Sequence, residues 1–507
     1  MLARALTATP WGIEARPVQV EVDVHNGLPQ MSIVGLPDAS VRESRERVRS
    51  AIKNCGFDLP ARSVTINLAP ADLKKEGNHL DLAIALALLA AHGQIPQQAL
   101  DGRLLCGELG LDGAVRSVRG GLAIADLGGR LGARELLLPA ANAGEAAALG
   151  GIPVIPLVGF GEAIEHIQDV TPLGGARAPA ADLSIDPEFV DLADVQGQEA
   201  AKRALEVAAA GGHNLIFIGP PGSGKTLLAR RLPGLLPPLT LSEAIAVTKI
   251  HSLVADEPPA GLLRRRPFRS PHPGVSAAGM VGGSSQPRPG EVSLAHCGVL
   301  FLDELPEFRR DALEALRQPL EEGRVTVVRA RARLQFPARF SLLAAMNPCP
   351  CGHLGDPRHE CRCPGPMIER YRARVSGPLL DRIDLHIEVP AVTLRELRGG
   401  GGENSATVAK RIAAAREIQF DRFGGENPHP YNAAMTPEAV RRLCPLDSAG
   451  QSLLDRAFER LGLSARALAR ILKVARTIAD LAGSTGIQTA HLAEAIQYRT
   501  LDRRIER

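Results

Sequence analysis

Aromatic residues are scarce: Phe, Tyr and Trp make up 3% of the 507 residues, with a single Trp. A base-stacking platform needs a ring for each base it holds, so it has little material here. Net charge is scarce as well. At +3, with 59 basic against 56 acidic side chains, the chain lacks the overall field of a polyanion binder, and any basic surface has to be local. No apolar run approaches the roughly 18 residues that span a bilayer; the longest is LAIALALLAA at 82–91. The opening, MLARALTATPWGIEA, lacks an apolar signal core. These absences lead to the expectation of a cytoplasmic protein without a membrane partner. Eight cysteines in the whole chain exclude a disulfide scaffold.

What is present divides the chain into three. Residues 1–170 alternate β-rich pieces (VQVEVDV, SVTINLA, ELLLPA) with apolar-periodic helices, an α/β pattern. A Gly, Ala and Pro-rich stretch within 171–186 reads as a linker. Over 187–390 a strand, a phosphate loop and a helix are followed by buried strands at GVLFL (298–302) and FSLLAAM (340–346), as a parallel sheet requires. Residues 391–507 turn helical. There, SARALARILKVARTIADLAG (464–483) places Leu468, Ile471, Leu472, Ala475, Ile478 and Ala479 at helical spacing. The four glycines 399–402 read as a flexible loop.

The octet Gly219, Pro220, Pro221, Gly222, Ser223, Gly224, Lys225, Thr226 follows the apolar run Leu215–Ile218 and precedes LLARRLPGLL. It therefore sits between strand and helix, where a phosphate loop has to be. Its glycines let backbone N–H groups face the phosphates of ATP, Lys225 supplies a point charge, and Thr226 offers a hydroxyl to Mg²⁺. VLFLDE (299–304) delivers two carboxylates to a strand end: Asp303 to hold the Mg²⁺ shell and Glu304 to polarise the attacking water. A third strand ends at Asn347, whose amide can position that water without changing charge.

Phosphate loop, DE-ended strand and Asn-ended strand, in this order, resemble the AAA+ ATPases. The strings RPFRSPHPGVSAAGMVGG (266–283), PGEVSLAHCGVLFLDELPEF (289–308) and NPCPCG (347–352) resemble specifically the bacterial ComM/YifB family of magnesium-chelatase-like AAA+ proteins, over nearly the whole chain. One departure is visible: the family usually has two histidines after the proline of RPFRSPH, whereas here His272 is followed by Pro273. The resemblance implies a homo-oligomeric ring, a hexamer, whose ATP sites are completed by an arginine of the next subunit. LLDRID (379–384) nominates Arg382 as that finger, and SAR (464–466) nominates Arg466 as a second sensor in the helical lid. It further implies DNA, branched or duplex and read without regard to sequence, as the partner, with branch migration of DNA taken up in natural transformation as the work. A chelatase-type remodeller acting on a protein or porphyrin-metallation partner is the second reading.

The front domain resembles a Lon-family protease domain, an S5 domain 2-like α/β fold, through KKEGNHLDLAIALALLAA (74–91) and GELGLDGAVRSVRGGLAIA (107–125). A Ser-Lys dyad needs an oxygen nucleophile and an amine to take its proton. No Ser or Thr occurs from 74 to 91 and no Lys from 76 to 201, which excludes proteolysis by that route and leaves a scaffold or DNA-facing tier, with His79 and Asp81 read as structural. The expected fold is thus a Lon-protease-like α/β domain, an AAA+ αβα core and a helical lid.

Two segments carry arginine without acid. Over 262–289 these are Arg264, Arg265, Arg266, Arg269 and Arg288, in a Gly, Ser and Pro-rich stretch that reads as a mobile loop and not as a helix. Over 324–339, Arg329, Arg331 and Arg333 alternate with alanines, so that in one strand all three share a face. Such a face would suit a phosphate backbone. Lastly, Cys349, Cys351, Cys361 and Cys363 fall within fifteen residues. Four converging thiolates satisfy tetrahedral Zn²⁺; buried reduced thiols and a disulfide are the other readings, and His353 or His359 can stand in for one sulfur.

Overall fold

Period-two alternation sets the first layer of the fold. In the computed structural model, which describes residues 1–499 except 76, 179–190, 256, 284–287, 330–331, 357, 394–395, 397–401 and 425–430, β1 (Leu2–Trp11) and β2 (Glu14–His25) form an antiparallel hairpin in which Trp11 pairs with Glu14. The two-residue turn needs a positive φ, which Gly12 supplies at +62°. Val18, Val20, Val22 and Val24 point alternately inward. With β3 (Met31–Val34), β4 (Ser63–Ala69) and β5 (Arg103–Leu105), and with β8 (Glu135–Pro139) and β9 (Val154–Leu157) beyond a small β6–β7 ribbon (Glu108–Leu109, Val115–Arg116), they make a seven-stranded sheet ordered β3-β4-β2-β1-β5-β8-β9. The Asp81–His92 helix is apolar on all sides because it is enclosed on all sides: every residue from Asp81 to Ala91 is buried. Asp81 is held there by Arg47, Nε to Oδ2 at 2.7 Å. The expected linker lies partly, and the glycine run almost wholly, outside the described residues.

The second sheet is all parallel. It consists of β10 (Leu215–Ile218), β11 (Phe268–Arg269), β12 (Val299–Leu302), β15 (Ser341–Met346) and β16 (Leu385–Glu388), ordered β11-β12-β15-β10-β16. Between β12 and β15 the chain makes a separate antiparallel hairpin, β13 (Arg324–Arg329) with β14 (Ala332–Pro337). Helices follow from Ser405 onward. Ile412, Ile471, Ile478 and Leu492 of this lid share one buried cluster with Leu205 and Phe217 of the core. Ser464 caps the Ala465–Leu481 helix, its side chain accepting from the Ala467 N–H. A buried carboxylate ties the lid internally: Asp480 accepts from Arg422, from Arg476 Nε at 3.0 Å and from Asn432 Nδ2 at 2.8 Å.

The front domain docks on the core through two helices, Gly121–Leu131 and Leu241–Ser252. Lys249 Nζ lies 2.9 Å from Asp126, and Gly120 N donates to Ser252 O at 3.2 Å. Beside them Glu145 is fully buried, with Asn142 Nδ2 donating to its Oε1 at 2.9 Å. Its Oε2 and the facing Ser252 Oγ lack a hydrogen bond of ordinary geometry. Burial pushes Glu145 up to about 7, against the opposing pull of Asn142 and Ser252.

Two outcomes follow. Asp480→Ala strands two arginines near one buried site and should lower unfolding stability by on the order of 3–5 kcal/mol, read by denaturant melts; a loss under 1 kcal/mol would contradict the network. Because the folded Glu145 holds its proton above the unfolded value, its contribution is fully present at acid pH and is lost as pH rises through about 7. Glu145→Gln should flatten the pH dependence of the melting temperature between pH 5 and 8, and an unchanged profile would refute this.

Candidate nucleotide site

Parallel strands in register end together, and that is what assembles this site. β15 lies between β12 and β10, with Leu302 opposite Ala344 and Met346 opposite Ile218. Asp303–Glu304, Asn347 and the phosphate loop therefore emerge side by side at one sheet edge. Gly222 and Gly224 adopt φ of +74° and +91°, and a Cβ on Gly219 would lie 2.0 Å from Val389 O, so side chains are barred where the loop must stay close to backbone.

Lys225 is buried at the start of the following helix, and its Nζ donates to Gly219 O at 2.7 Å, Pro220 O at 2.8 Å and Asn347 Oδ1 at 3.2 Å. Burial lowers its pKa, while Asp303 and Glu304 oppose the shift. Thr226 Oγ1 donates to Asp303 Oδ2 at 2.6 Å, so the two groups suited to Mg²⁺ already meet. Glu304 stands at φ +54°, a left-handed conformation that costs of order 1–3 kcal/mol in a non-glycine residue. Its carboxyl is exposed, and its N–H donates to Asp303 Oδ1 at 3.0 Å. The residues fit ATP and Mg²⁺: a cradle without side chains, one ammonium, one hydroxyl–carboxylate pair and one further carboxylate.

Three supports escaped the sequence reading. Tyr371, pushed up to about 12 by burial, hydrogen-bonds the backbone of Asn347. Gln198 Nε2 bridges Ser223 O at 3.3 Å and Pro390 O at 2.6 Å. A Cβ on Gly352 would come within 2.5 Å of Pro221 Cδ, so the cysteine loop presses on the phosphate loop. Each depends on contacts between segments distant in sequence, and only Gly352, inside NPCPCG, carried a local signal.

Arg382 is buried in the turn before β16. Its guanidinium is held by Glu321 and by Pro378 O at 2.5 Å, and its carbonyl accepts from Asn214 Nδ2 at 2.8 Å. Asn214 precedes β10, which puts Arg382 at the sheet end opposite its own phosphate loop. Arg466 is exposed at the start of the Ala465–Leu481 helix, and among the described residues no hydrogen bond ties it to the phosphate loop. One turn on, Arg470 is paired with Asp384, which also accepts from His213 Nδ1 at 3.2 Å. Burial alone would raise the Asp384 carboxyl, yet His213 and Arg470 hold it well below the usual carboxylate range.

The basic segments are corrected by the fold. The 262–289 stretch is not wholly loop, since β11 and a helix at Ala277–Val281 lie in it. Acids distant in sequence take up two of its arginines. Arg266 donates to Pro237 O, Cys297 O and Glu243, and Arg269 makes a bidentate pair with Glu291 at 2.8 and 2.9 Å. Both are thus engaged by carboxylates of the same chain. Arg264 and Arg265 are half-buried beside them. Nor do Arg329, Arg331 and Arg333 share one strand: Arg329 ends β13, Arg333 sits on β14 opposite Val328, and Arg331 lies outside the described residues. Val325, Val327, Leu334 and Phe336 bury one face of the hairpin, leaving Arg333 and Gln335 exposed on the other.

The four cysteine sulfurs converge. Cys349 Sγ is 3.4 Å from Cys351 and 3.6 Å from Cys361, and Cys351 is 3.7 Å from Cys361; Cys363 joins the group within 4.8 Å. A tetrahedron with Zn–S bonds of about 2.3 Å has edges of about 3.8 Å, so these sulfurs fit Zn²⁺ and no disulfide links them.

Comparison with known proteins agrees with this layout. The family model "Magnesium chelatase, subunit ChlI" matches residues 191–397, "Subunit ChlI of Mg-chelatase" matches 20–142, and "Magnesium chelatase, subunit ChlI C-terminal" matches 402–499. Competence protein ComM of Haemophilus influenzae is 44% identical over 514 residues, 100% of this chain and 99% of that one. The chain belongs to the ComM/YifB family. The uncharacterized protein YifB of Salmonella typhimurium is 46% identical over 517 residues, 99% of this chain and 98% of its own length. Lon protease 2 of Bacillus subtilis matches at 31% over 147 residues, 26% of this chain and 25% of that one, toward the N-terminus. The fold is accordingly a Lon-protease-like α/β domain, an AAA+ core of the magnesium-chelatase type and a helical lid, and the family is one of AAA+ ATPases. No helix among the described residues is long and apolar enough to cross a membrane.

Lys225→Ala should abolish ATP binding. Asn347→Ala, by contrast, should leave nucleotide affinity within a few-fold and lower kcat by on the order of 10²-fold. Equal losses of affinity in both variants would remove the positioning role of Asn347.

Proposed function

We propose that this protein is an ATP-driven DNA motor, a hexameric helicase that drives branch migration during recombination of DNA taken up by natural transformation. The observation that carries the reading is the β13–β14 hairpin. It is inserted between the strand bearing Asp303–Glu304 and the strand bearing Asn347, so both ends of the inserted segment join strands that terminate at the nucleotide. Its apolar face is locked into the core, which makes it move with those strands, and its outer face presents Arg333 to solvent. A guanidinium there attracts a phosphate backbone without reading bases, in keeping with the scarcity of aromatic rings. The full-length likeness to a protein named for competence supports the pathway.

In this mechanism Lys225 and the loop amides hold the phosphates, Thr226 and Asp303 hold Mg²⁺, which neutralises phosphate charge when bound, and Glu304 accepts a proton from the attacking water. Asn347 positions the attacking water: with phosphate present, Lys225 Nζ would turn to it and release the Asn347 amide for that task. Arg382 exchanges Glu321 for the γ-phosphate of a neighbouring subunit, and Arg466 completes the site from the lid. Arg264, Arg265, Arg329 and Arg331 are further candidates for phosphate contact. The four cysteines would hold a structural Zn²⁺, which would cross-link the loop that meets Pro221.

The second reading, a chelatase-type remodeller, is favoured by the names of the matching family models. The two separate in one experiment: migration of a synthetic four-way junction, with ATP turnover measured in parallel. The motor predicts DNA-stimulated turnover and junction movement in the wild type and neither in Glu304→Gln. In Arg333→Glu it predicts weaker DNA binding, with a salt slope shallower by roughly 0.9 for each phosphate the protein no longer neutralises. Turnover indifferent to DNA, with a junction that never moves, would refute it.

A further inference from the structure

We propose that His353, Asp356 and His359 form a second cation site, for a borderline divalent transition metal such as Zn²⁺, Co²⁺ or Ni²⁺, separate from the four sulfurs of the same loop. Asp356 Oδ2 lies 3.2 Å from His353 Nδ1 and 3.0 Å from His359 Nδ1. The two rings stand 4.8 Å apart between centroids. The other carboxylate oxygen, Oδ1, is fixed by the Arg358 N–H at 2.8 Å. One ligand atom from each of the three residues lies within 4.8 Å of the other two.

This geometry is close to what a metal asks for. Imidazole nitrogen and carboxylate oxygen bind such cations at about 2.0–2.2 Å, so the ligand–ligand edge of a tetrahedron is about 3.3–3.5 Å. The observed separations fall short of that by only a few tenths of an ångström. At present two N–H protons hold the three atoms together. A cation does the same if each ring keeps its proton on Nε2, facing solvent, and offers the Nδ1 lone pair inward. Both histidines then stay neutral, Asp356 supplies the one negative charge, and water fills the fourth position. The Asp356 side chain is 4% exposed, whereas that of His359 is 63% exposed, so the anchor is buried and the mouth is open.

The donor set, N₂O, is chemically distinct from the neighbouring S₄ set, so the two can be told apart by spectrum. Their positions are linked. Gly352, at φ +83°, stands between Cys351 and His353 and presses on Pro221; a cation on 353–359 would fix the segment that leaves that contact. The inference rests on side chains that the sulfur site does not use, so it survives if the cysteines prove metal-free.

The test uses the full-length protein, stripped with EDTA under reducing conditions and titrated with Co²⁺ alone. Two equivalents should bind, one with an intense sulfur-to-cobalt charge-transfer band and one without. His353→Ala/His359→Ala should lose the second equivalent and keep the band; His359→Ala, which removes an exposed ring, should weaken the second equivalent at least tenfold without changing the melt of the stripped protein. If the cysteines bind nothing, one bandless equivalent should remain and should vanish in the double variant. Wild type taking up only band-forming Co²⁺, a double variant with unchanged stoichiometry, or loss of the band in the double variant would each overturn the proposal.

Discussion

Everything at the nucleotide site depends on the parallel register of β12, β15 and β10. Hydrogen bonds between strands fix their ends within about two residues of one another, and the first residues past those ends are Asp303, Asn347 and Gly219. A slip of one residue in β15 would turn every inward side chain of that strand outward and would carry Asn347 away from Lys225. The apolar residues of these strands therefore act on chemistry they never touch. Their burial holds the register, and the register holds a carboxylate, an amide and an ammonium within reach of one phosphate.

The same constraint reaches outward through the β13–β14 hairpin. Its buried side chains belong to the cluster that contains Leu300, Leu302, Leu342 and Ala344, and Trp11 and Ile13, at the front domain's first turn, pack against that cluster as well. The front domain thus touches both the hairpin's underside and, through Lys249 and Ser252, a helix of the core. Within that domain the buried Asp81 is held by Arg47. On the far side, Asp384 joins His213 at the foot of β10 to Arg470 of the lid, so a charged contact ties the lid to that strand.

The cysteine loop adds a third connection. It begins two residues after Asn347, touches Pro221 through Gly352, and returns to the Gly365–Arg372 helix, whose Tyr371 holds the Asn347 backbone and whose Arg372 Nε donates to Pro348 O at 3.2 Å. Metal ligands placed there would stiffen the turn between Asn347 and the phosphate loop.

Local chemistry was readable in the sequence wherever a few adjacent residues suffice: the glycines and lysine of 219–226, the apolar run ending in Asp303–Glu304, the helix at 465–481, and the cysteine spacing. These are short-range facts, fixed by backbone sterics and by periodicity. Pairing was not readable, because it is settled by which segments the fold brings together. Arg266 and Arg269 look free of acids along the chain, but Glu243 and Glu291 reach them across it. Arg329 and Arg333 look like one face, but a turn sets them on two strands. Arg382 looks like an exposed finger and is found clamped by Glu321. Charge in a sequence is counted along one dimension, whereas its neutralisation falls off with distance in three, and so the tertiary structure alone decided which of these arginines are paired with a carboxylate.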